Sequence, residues 1–239
     1  MVGMGINKKL NQEKEKIKMY NFQYVNPKQL SSAKKELIQI IQSVQNEVRQ
    51  CFTFQYCFVG SVKRDMVTYD VKANKGFDFD VDIHVNDDDS RYSAKEIKTK
   101  IRLALNKIIH RYGYDDAEDS TRVITIKVKD KKNSKILHSC DFAIVNDYTD
   151  DDGNERQEYI HFNKKQKSYS WNEQPRGFYL LDEKTDWIKD CGFWQDVKDL
   201  YLYKKNHNND PHKHSRSIYA ETIHEICQRY GYYDSYYKK

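Results

Sequence analysis

The chain has 239 residues, enough for one substantial core or two modest lobes. Only 38% of it is hydrophobic and 32% is charged, yet 19 Tyr help lift the aromatic share to 13%, which excludes a disordered chain and predicts a core rich in rings. No apolar run approaches the roughly 20 residues of a membrane-spanning helix, and the net charge of +5 is a small surplus that a nucleoside triphosphate would match as well as RNA.

Residues 1 to about 28 are polar, with Lys8, Lys9 and alternating Glu and Lys after Gln12. They lack the apolar stretch of a signal peptide, and Pro27 ends any helix begun near Asn11. Five cysteines, Cys51, Cys57, Cys140, Cys191 and Cys227, show no Cys-x-x-Cys spacing, so reduced thiols and a cytoplasmic location are expected. Ser31 and Ser32 then open a long amphipathic helix with Leu37, Ile40, Ile41, Val44 and Val48 on one face. Cys51 to Val59 is aromatic and β-prone until Gly60 breaks it, and Lys63 to Lys75 reads as a loop. A strand follows over Gly76 to Val85. Asn86 to Asp89 is a turn, its acids solvated, and Ser93 to Glu96 starts a helix with the stripe Ile97, Ile101, Leu105, Ile108 and Ile109, closed by Gly113.

Val123 to Val128 and Ile136 to Val145 read as strands joined by the turn Lys131 to Ser134, and Tyr159 to Phe162 as one more. Past Trp171 the pattern becomes helical, with two or three helices split by the polar stretch Asn206 to His214. His207, His212 and His214 in that stretch have no fixed helical spacing and no cysteine partner, so a solvated linker is expected rather than a zinc site. Tyr230 to Lys239 forms a Tyr-rich, basic tail. The expectation is an α/β (α+β) fold, with a mixed sheet in a core of residues 1–170 and a helical lobe in 171–239.

The strand after Gly76 carries the chemistry. In Phe77-Asp78-Phe79-Asp80-Val81-Asp82-Ile83 the side chains alternate faces, so the apolar residues enter a core while Asp78, Asp80 and Asp82 line the other side. Asp is a poor strand former and three stacked like charges repel, so the pattern implies a cation, and oxygen ligands suit Mg²⁺ or Mn²⁺. Residues two apart on a strand lie roughly 7 Å apart and can share a metal pair, whereas residues four apart lie roughly 13 Å apart. Asp80 therefore belongs to any working pair. Asp78, nearer the loop end, is the favoured partner, with Asp82 the other choice.

Upstream, Gly60-Ser61 ends a β-prone run and is followed by Lys63 and Arg64. Small residues there let the backbone approach a polyphosphate, and the serine hydroxyl adds a donor. Downstream, Asp141 sits inside an otherwise apolar strand, where an unpartnered carboxylate is costly. It calls for a cation or hydrogen-bond donors, and a salt bridge to Lys127 or Lys129 is the plain structural alternative.

Gly60-Ser61, the Asp78-Phe79-Asp80 or Asp80-Val81-Asp82 pair, and Asp141-Phe142-Ala143 together resemble the three-part signature of the DNA polymerase β-type nucleotidyltransferase superfamily. The resemblance covers roughly residues 30 to 145. It implies that Ser61 touches the triphosphate, that two of Asp78, Asp80 and Asp82 hold two Mg²⁺ ions, and that Asp141 ligates one and helps deprotonate the attacking hydroxyl. The C-terminal part is similar to the branch of cyclic-dinucleotide and oligoadenylate synthase-like enzymes. There Lys198 and Lys204 on one helix, and a helix beginning at Ser217, would reach the triphosphate, and Tyr201, Tyr203 or Tyr219 could stack on a base. Each has an ordinary reading as a solvated lysine or a core tyrosine. The chain departs from that branch in carrying Asp65-Met66 where Gly-Thr is usual.

The resemblance implies a magnesium-dependent, ATP- or other nucleotide-binding transferase that joins an acceptor hydroxyl to an α-phosphate and releases pyrophosphate. The product would be a cyclic or oligomeric nucleotide. The alternatives are adenylyl transfer to a protein or RNA acceptor such as tRNA, and a nucleotide-binding module without catalysis.

Overall fold

A computed structural model describes residues 20–73, 75–87, 90–210 and 212–232. The stretch near Asn11, Asp88 and Asp89 of the acidic turn, Pro211 and the tail from 233 lie outside the described residues.

The elements begin with β1 (Phe22–Tyr24) and α1 (Pro27–Val48). Asn26 caps α1, its Oδ1 accepting from Lys28 N at 2.9 Å, and Pro27 at the first position sacrifices no helical hydrogen bond. Next come β2 (Thr53–Val59), the single turn α2 (Gly60–Lys63), β3 (Thr68–Asp70) and β4 (Phe77–Asn86). The stretch Lys63 to Lys75 is thus not wholly a loop. It contains β3, which pairs with β1 in a separate two-stranded sheet. A three-residue strand is too short to show any periodicity.

α3 (Ala94–Ile109) opens on a reciprocal capping box in which Ser93 Oγ accepts from Glu96 N while Glu96 Oε2 accepts from Ser93 N. A 3-10 turn over His110–Tyr112 and the left-handed Gly113 (φ 83°) end it. Then follow β5 (Glu118–Asp119), β6 (Val123–Asp130), β7 (Lys135–Thr149), β8 (Glu155–Asn163) and β9 (Ser168–Glu173). The chain is still extended at Trp171, and α4 (Arg176–Asp190) begins only after Pro175.

Among the described residues, the main sheet has seven strands in the order β2-β4-β7-β6-β5, with β8 joined to β7 and β9 to β8. β4 runs parallel to β7 and antiparallel to β2, so the sheet is mixed. β7 is long enough to pair with β6 through its first part and with β8 through its last. α1 and α3 cover one face. Ile41 and Val44 of α1 and Ile101 and Leu105 of α3 meet Phe54, Ile83 and Phe142 of the strands. Phe77, Phe79, Val81 and Ile83 of β4 are at most 2% exposed. Burial of each contributes roughly 1.5–3 kcal/mol, which offsets the cost of charges along the opposite face.

By compactness the described residues divide between Leu180 and Leu181: Gln23–Leu180 contains the sheet, and the other unit holds the described residues from Leu181 onward together with residues 20–22. In the second unit, α5 (Trp194–Asn206) packs on α6 (Ser215–Tyr230). Ile218, Ile223 and Ile226 are buried there beside Val197 and Tyr201. Asn206 Oδ1 accepts from Phe22 N at 2.6 Å and its Nδ2 donates to Phe22 O, which ties residue 22 to this unit. No helix among the described residues is long and apolar enough to cross a membrane.

Candidate functional site

β4 presents Asp78, Asp80, Asp82 and His84 on the face opposite the helices, as its period of two requires. Strand register decides who stands beside whom. On the β7 side Asp80 is paired with Asp141 and Asp78 with Ser139, and on the β2 side Val59 is paired with Asp80 and Cys57 with Asp82. The end of β2 thus carries the chain over Asp80 and turns at Gly60.

Gly60 has φ 60°, and a Cβ there would lie 2.2 Å from Asp80 Oδ2. Both the backbone conformation and the lack of room demand glycine at this one position. Ser61 follows, its carbonyl accepting from Met66 N at 2.9 Å. Asp141, opposite Asp80, accepts at Oδ1 from Thr125 Oγ1 at 2.6 Å, and Asp78 Oδ1 accepts from Ser139 Oγ. Neither lysine suggested for Asp141 bonds to it. Lys127 pairs with Glu118 at 2.8 Å and Lys129 with Asp115 at 2.6 Å.

Burial, then the charges of Asp141 and Asp78, push the Asp80 carboxyl up to about 6, against a smaller opposing pull from Arg64. Asp141 is also raised, by burial first, with the Thr125 hydrogen bond working the other way. Three carboxylates on adjacent strands share a charge conflict that oxygen-seeking divalent cations would relieve. Asp82 belongs to different company. Its carboxyl is pushed to about 6 by burial first, while His84 draws it down and Asp147 raises it.

The nucleotide candidates Lys198, Lys204 and Ser217 lie in the second unit. Lys198 is half-buried on α5, and Lys204 Nζ is paired with Glu225 at 2.8 Å. α6 starts at Ser215 after His214, so Ser217 is its third residue rather than its first. The correction arises because Ser215-Arg216 carries no apolar residue to mark the first turn. Tyr201 and Tyr219 are core residues, Tyr219 sharing a hydrogen bond with Thr185 at 2.7 Å. Tyr203 is 60% exposed and stacks on His207 with centroids 4.1 Å apart.

Sequence reading missed Thr125 and Ser139, which hold two of the acids, and the group Cys57, Asp82 and His84. Asp82-x-His84 on one strand was a usable signal; Cys57 was not, because only the β2–β4 register brings it there.

No protein-family model and no curated protein matches the chain. Solved structures do. It is similar to the STING-associated CdnE c-di-GMP synthase from Capnocytophaga granulosa, with 17% identity and a TM-score of 0.55 over 90% of this chain and 65% of that one. It is similar also to the GTP-bound form of Vibrio cholerae DncV, with 12% identity and a TM-score of 0.53, covering 84% of this chain and 52% of that one. The DncV cyclic AMP-GMP synthase with the linear intermediate 5' pppA(3',5')pG gives 13% identity and a TM-score of 0.52, covering 81% and 53%. The chain spans about half to two thirds of the length of these neighbours. At these identities the likeness is one of fold, which the chain shares with these solved structures.

Proposed function

We propose that the chain is a divalent-metal-dependent nucleotidyltransferase, acting in the cytoplasm on a nucleoside triphosphate and an acceptor hydroxyl. The observation that carries this reading is the meeting of Gly60-Ser61 with Asp80, which is flanked by Asp78 along the strand and Asp141 across it. The donor set is all oxygen, as Mg²⁺ or Mn²⁺ prefers, and Asp78, Asp80 and Asp141 are the residues that would hold the ions. When bound, the ions neutralise the triphosphate and ease loss of the acceptor proton.

This chain's own groups do the rest. Gly60 lets the backbone approach the polyphosphate, with Ser61 and Lys63 as further contacts. Asp141, oriented by Thr125, receives the acceptor proton as the oxygen bonds to the α-phosphorus. The bond from that phosphorus to the bridging oxygen breaks, and pyrophosphate leaves with the electron pair. Residues 1–170 are assigned the chemistry. The lobe 171–239, with Lys198, Lys204 and Ser217, is assigned to the triphosphate.

The finer reading is a second-messenger synthase whose acceptor is itself a nucleotide, supported by the fold shared with dinucleotide synthases. The test is incubation with labelled ATP and GTP plus Mg²⁺ or Mn²⁺. A small labelled product, with one pyrophosphate released for each phosphodiester bond formed, is expected. Label found only on added RNA or protein would replace the synthase reading with macromolecular transfer, and no divalent-dependent pyrophosphate with any nucleotide would overturn the transferase.

A further inference from the structure

The transferase reading uses Asp78, Asp80 and Asp141 and leaves Asp82 over. We propose that Asp82 belongs instead to a second metal site, formed with Cys57 and His84 and suited to a borderline-soft divalent ion such as Zn²⁺. Among the described residues these three are the one set of such side chains whose ligand atoms all lie within 4.8 Å of one another. They come from two adjacent strands, Cys57 directly opposite Asp82 and His84 two residues farther along β4 on the same face.

The internal geometry is that of ligands before an ion arrives. Cys57 Sγ and His84 Nε2 are 3.3 Å apart, against about 3.5 Å between a sulfur and a nitrogen on one tetrahedral Zn²⁺. The other imidazole nitrogen is already engaged. His84 Nδ1 is 2.6 Å from Asp147 Oδ2 and donates to it, which fixes the ring and leaves Nε2 to face the thiol. A carboxylate behind a ligating histidine is the usual outer support of a zinc ligand. Asp147 is in turn held at Oδ1 by Gln157 Nε2, 2.9 Å away on the paired strand β8. A histidine needed only to satisfy Asp147 would not also need the Cys57 sulfur 3.3 Å from its far nitrogen.

The chemistry separates this site from the carboxylate centre. Thiolate and imidazole select Zn²⁺ or Co²⁺, whereas a site of carboxylates alone selects Mg²⁺ or Mn²⁺. On binding, Cys57 releases its thiol proton and His84 any proton on Nε2, and both lone pairs fill the ion's coordination with no redox change. Three protein ligands leave one tetrahedral position to water. Cys57 is exposed, so an ion can enter from solvent. The occupied site clamps β2 to β4 next to Asp80, and one strand then serves two ions of different kind.

The test uses the full chain, stripped with a chelator and titrated with Co²⁺. One equivalent giving a near-ultraviolet thiolate-to-cobalt band, displaced by Zn²⁺ and insensitive to excess Mg²⁺, is expected. The band disappears in Cys57→Ser, the affinity falls about 10–100-fold in Asp147→Asn, and the band persists in Asp80→Asn. Absence of the band in the folded wild-type chain overturns the site, as does a band that survives Cys57→Ser. The wild-type spectrum depends on no variant, and circular dichroism establishes that Cys57→Ser is folded. Failure of pyrophosphate release with an intact band overturns the transferase alone.

Discussion

At Asp80, burial and two neighbouring carboxylates make ionisation at neutral pH costly to the folded chain. The carboxyl moves from 3.8 to about 6, so the folded state holds the proton more tightly than the unfolded one. The resulting stabilisation is full below about pH 4 and is lost as the pH rises through about 6, a swing of roughly 3 kcal/mol. Asp82 is raised to about 6 as well, and adds to the swing in the same direction. Metal-free protein should therefore melt lower at about pH 8 than at about pH 5, with Mg²⁺ restoring stability chiefly at the higher pH. Asp80→Asn should flatten this dependence in thermal melts and raise the metal-free melting temperature near neutral pH. The same variant should lower pyrophosphate release by about 100-fold or more. A residue kept at a cost to stability, with activity lost on relieving that cost, is the mark of a functional position.

Elements set where those residues stand. The turn from β2 into α2 exists in its form because Gly60 can adopt φ 60° with Asp80 Oδ2 beneath it. Gly60→Ala should strain the backbone by roughly 1–2 kcal/mol and displace the carboxylate, so activity should fall further than stability, as comparison of turnover with urea midpoints will show. Gly76 meets a different need. A Cβ there would lie 1.8 Å from the carbonyl oxygen of Leu137, so glycine lets β4 enter beside β7 and reach the Asp80–Asp141 register. Across the sheet, Thr125→Val should remove a hydrogen bond to a charged group worth roughly 1.5–3 kcal/mol and leave Asp141 misaligned. A fall in kcat together with a melting temperature lower by several degrees is the expected readout.

α3 is anchored away from the acids by Lys98, whose side chain is 1% exposed and whose Nζ lies 2.9 Å from Asp119 Oδ1 and 2.7 Å from the carbonyl of Ser120. Lys98→Met would leave Asp119 without its buried counterion, and a loss of roughly 3 kcal/mol or more in denaturant unfolding is expected.

On the scale of the whole molecule, the two compact units carry different parts of the proposed activity, and their charges behave differently. Lys204, paired with Glu225 on the surface of its own unit, should cost less than about 1 kcal/mol of stability when replaced by Ala. A rise in KM for the triphosphate in Lys198→Ala, with the melting temperature unchanged, is the outcome that supports a phosphate role for α5. The small surplus of +5 makes tight binding to long nucleic acid an unneeded assumption for the proposed small-molecule reaction.

What was legible without coordinates was local. The apolar and acidic alternation of Phe77 to Ile83, the stripes of α1 and α3 and the Ser93–Glu96 box each express a period or contact within a few residues, so their chemistry is written in adjacent positions. β1, β3 and β5 are too short to show a period, and β9 is indistinct beside the turn before it. Which residue stands across from each strand acid lay beyond local pattern, because it depends on hydrogen bonding between β4 and a strand about 60 residues away. That register places Asp141 against Asp80 and Ser139 against Asp78, and the β2 register places Cys57 against Asp82. By itself the sequence determined that a face of β4 would be acidic. Tertiary pairing decided that this face holds two chemically distinct groups, because side chains from different strands meet only where backbone hydrogen bonds lock the strands in step.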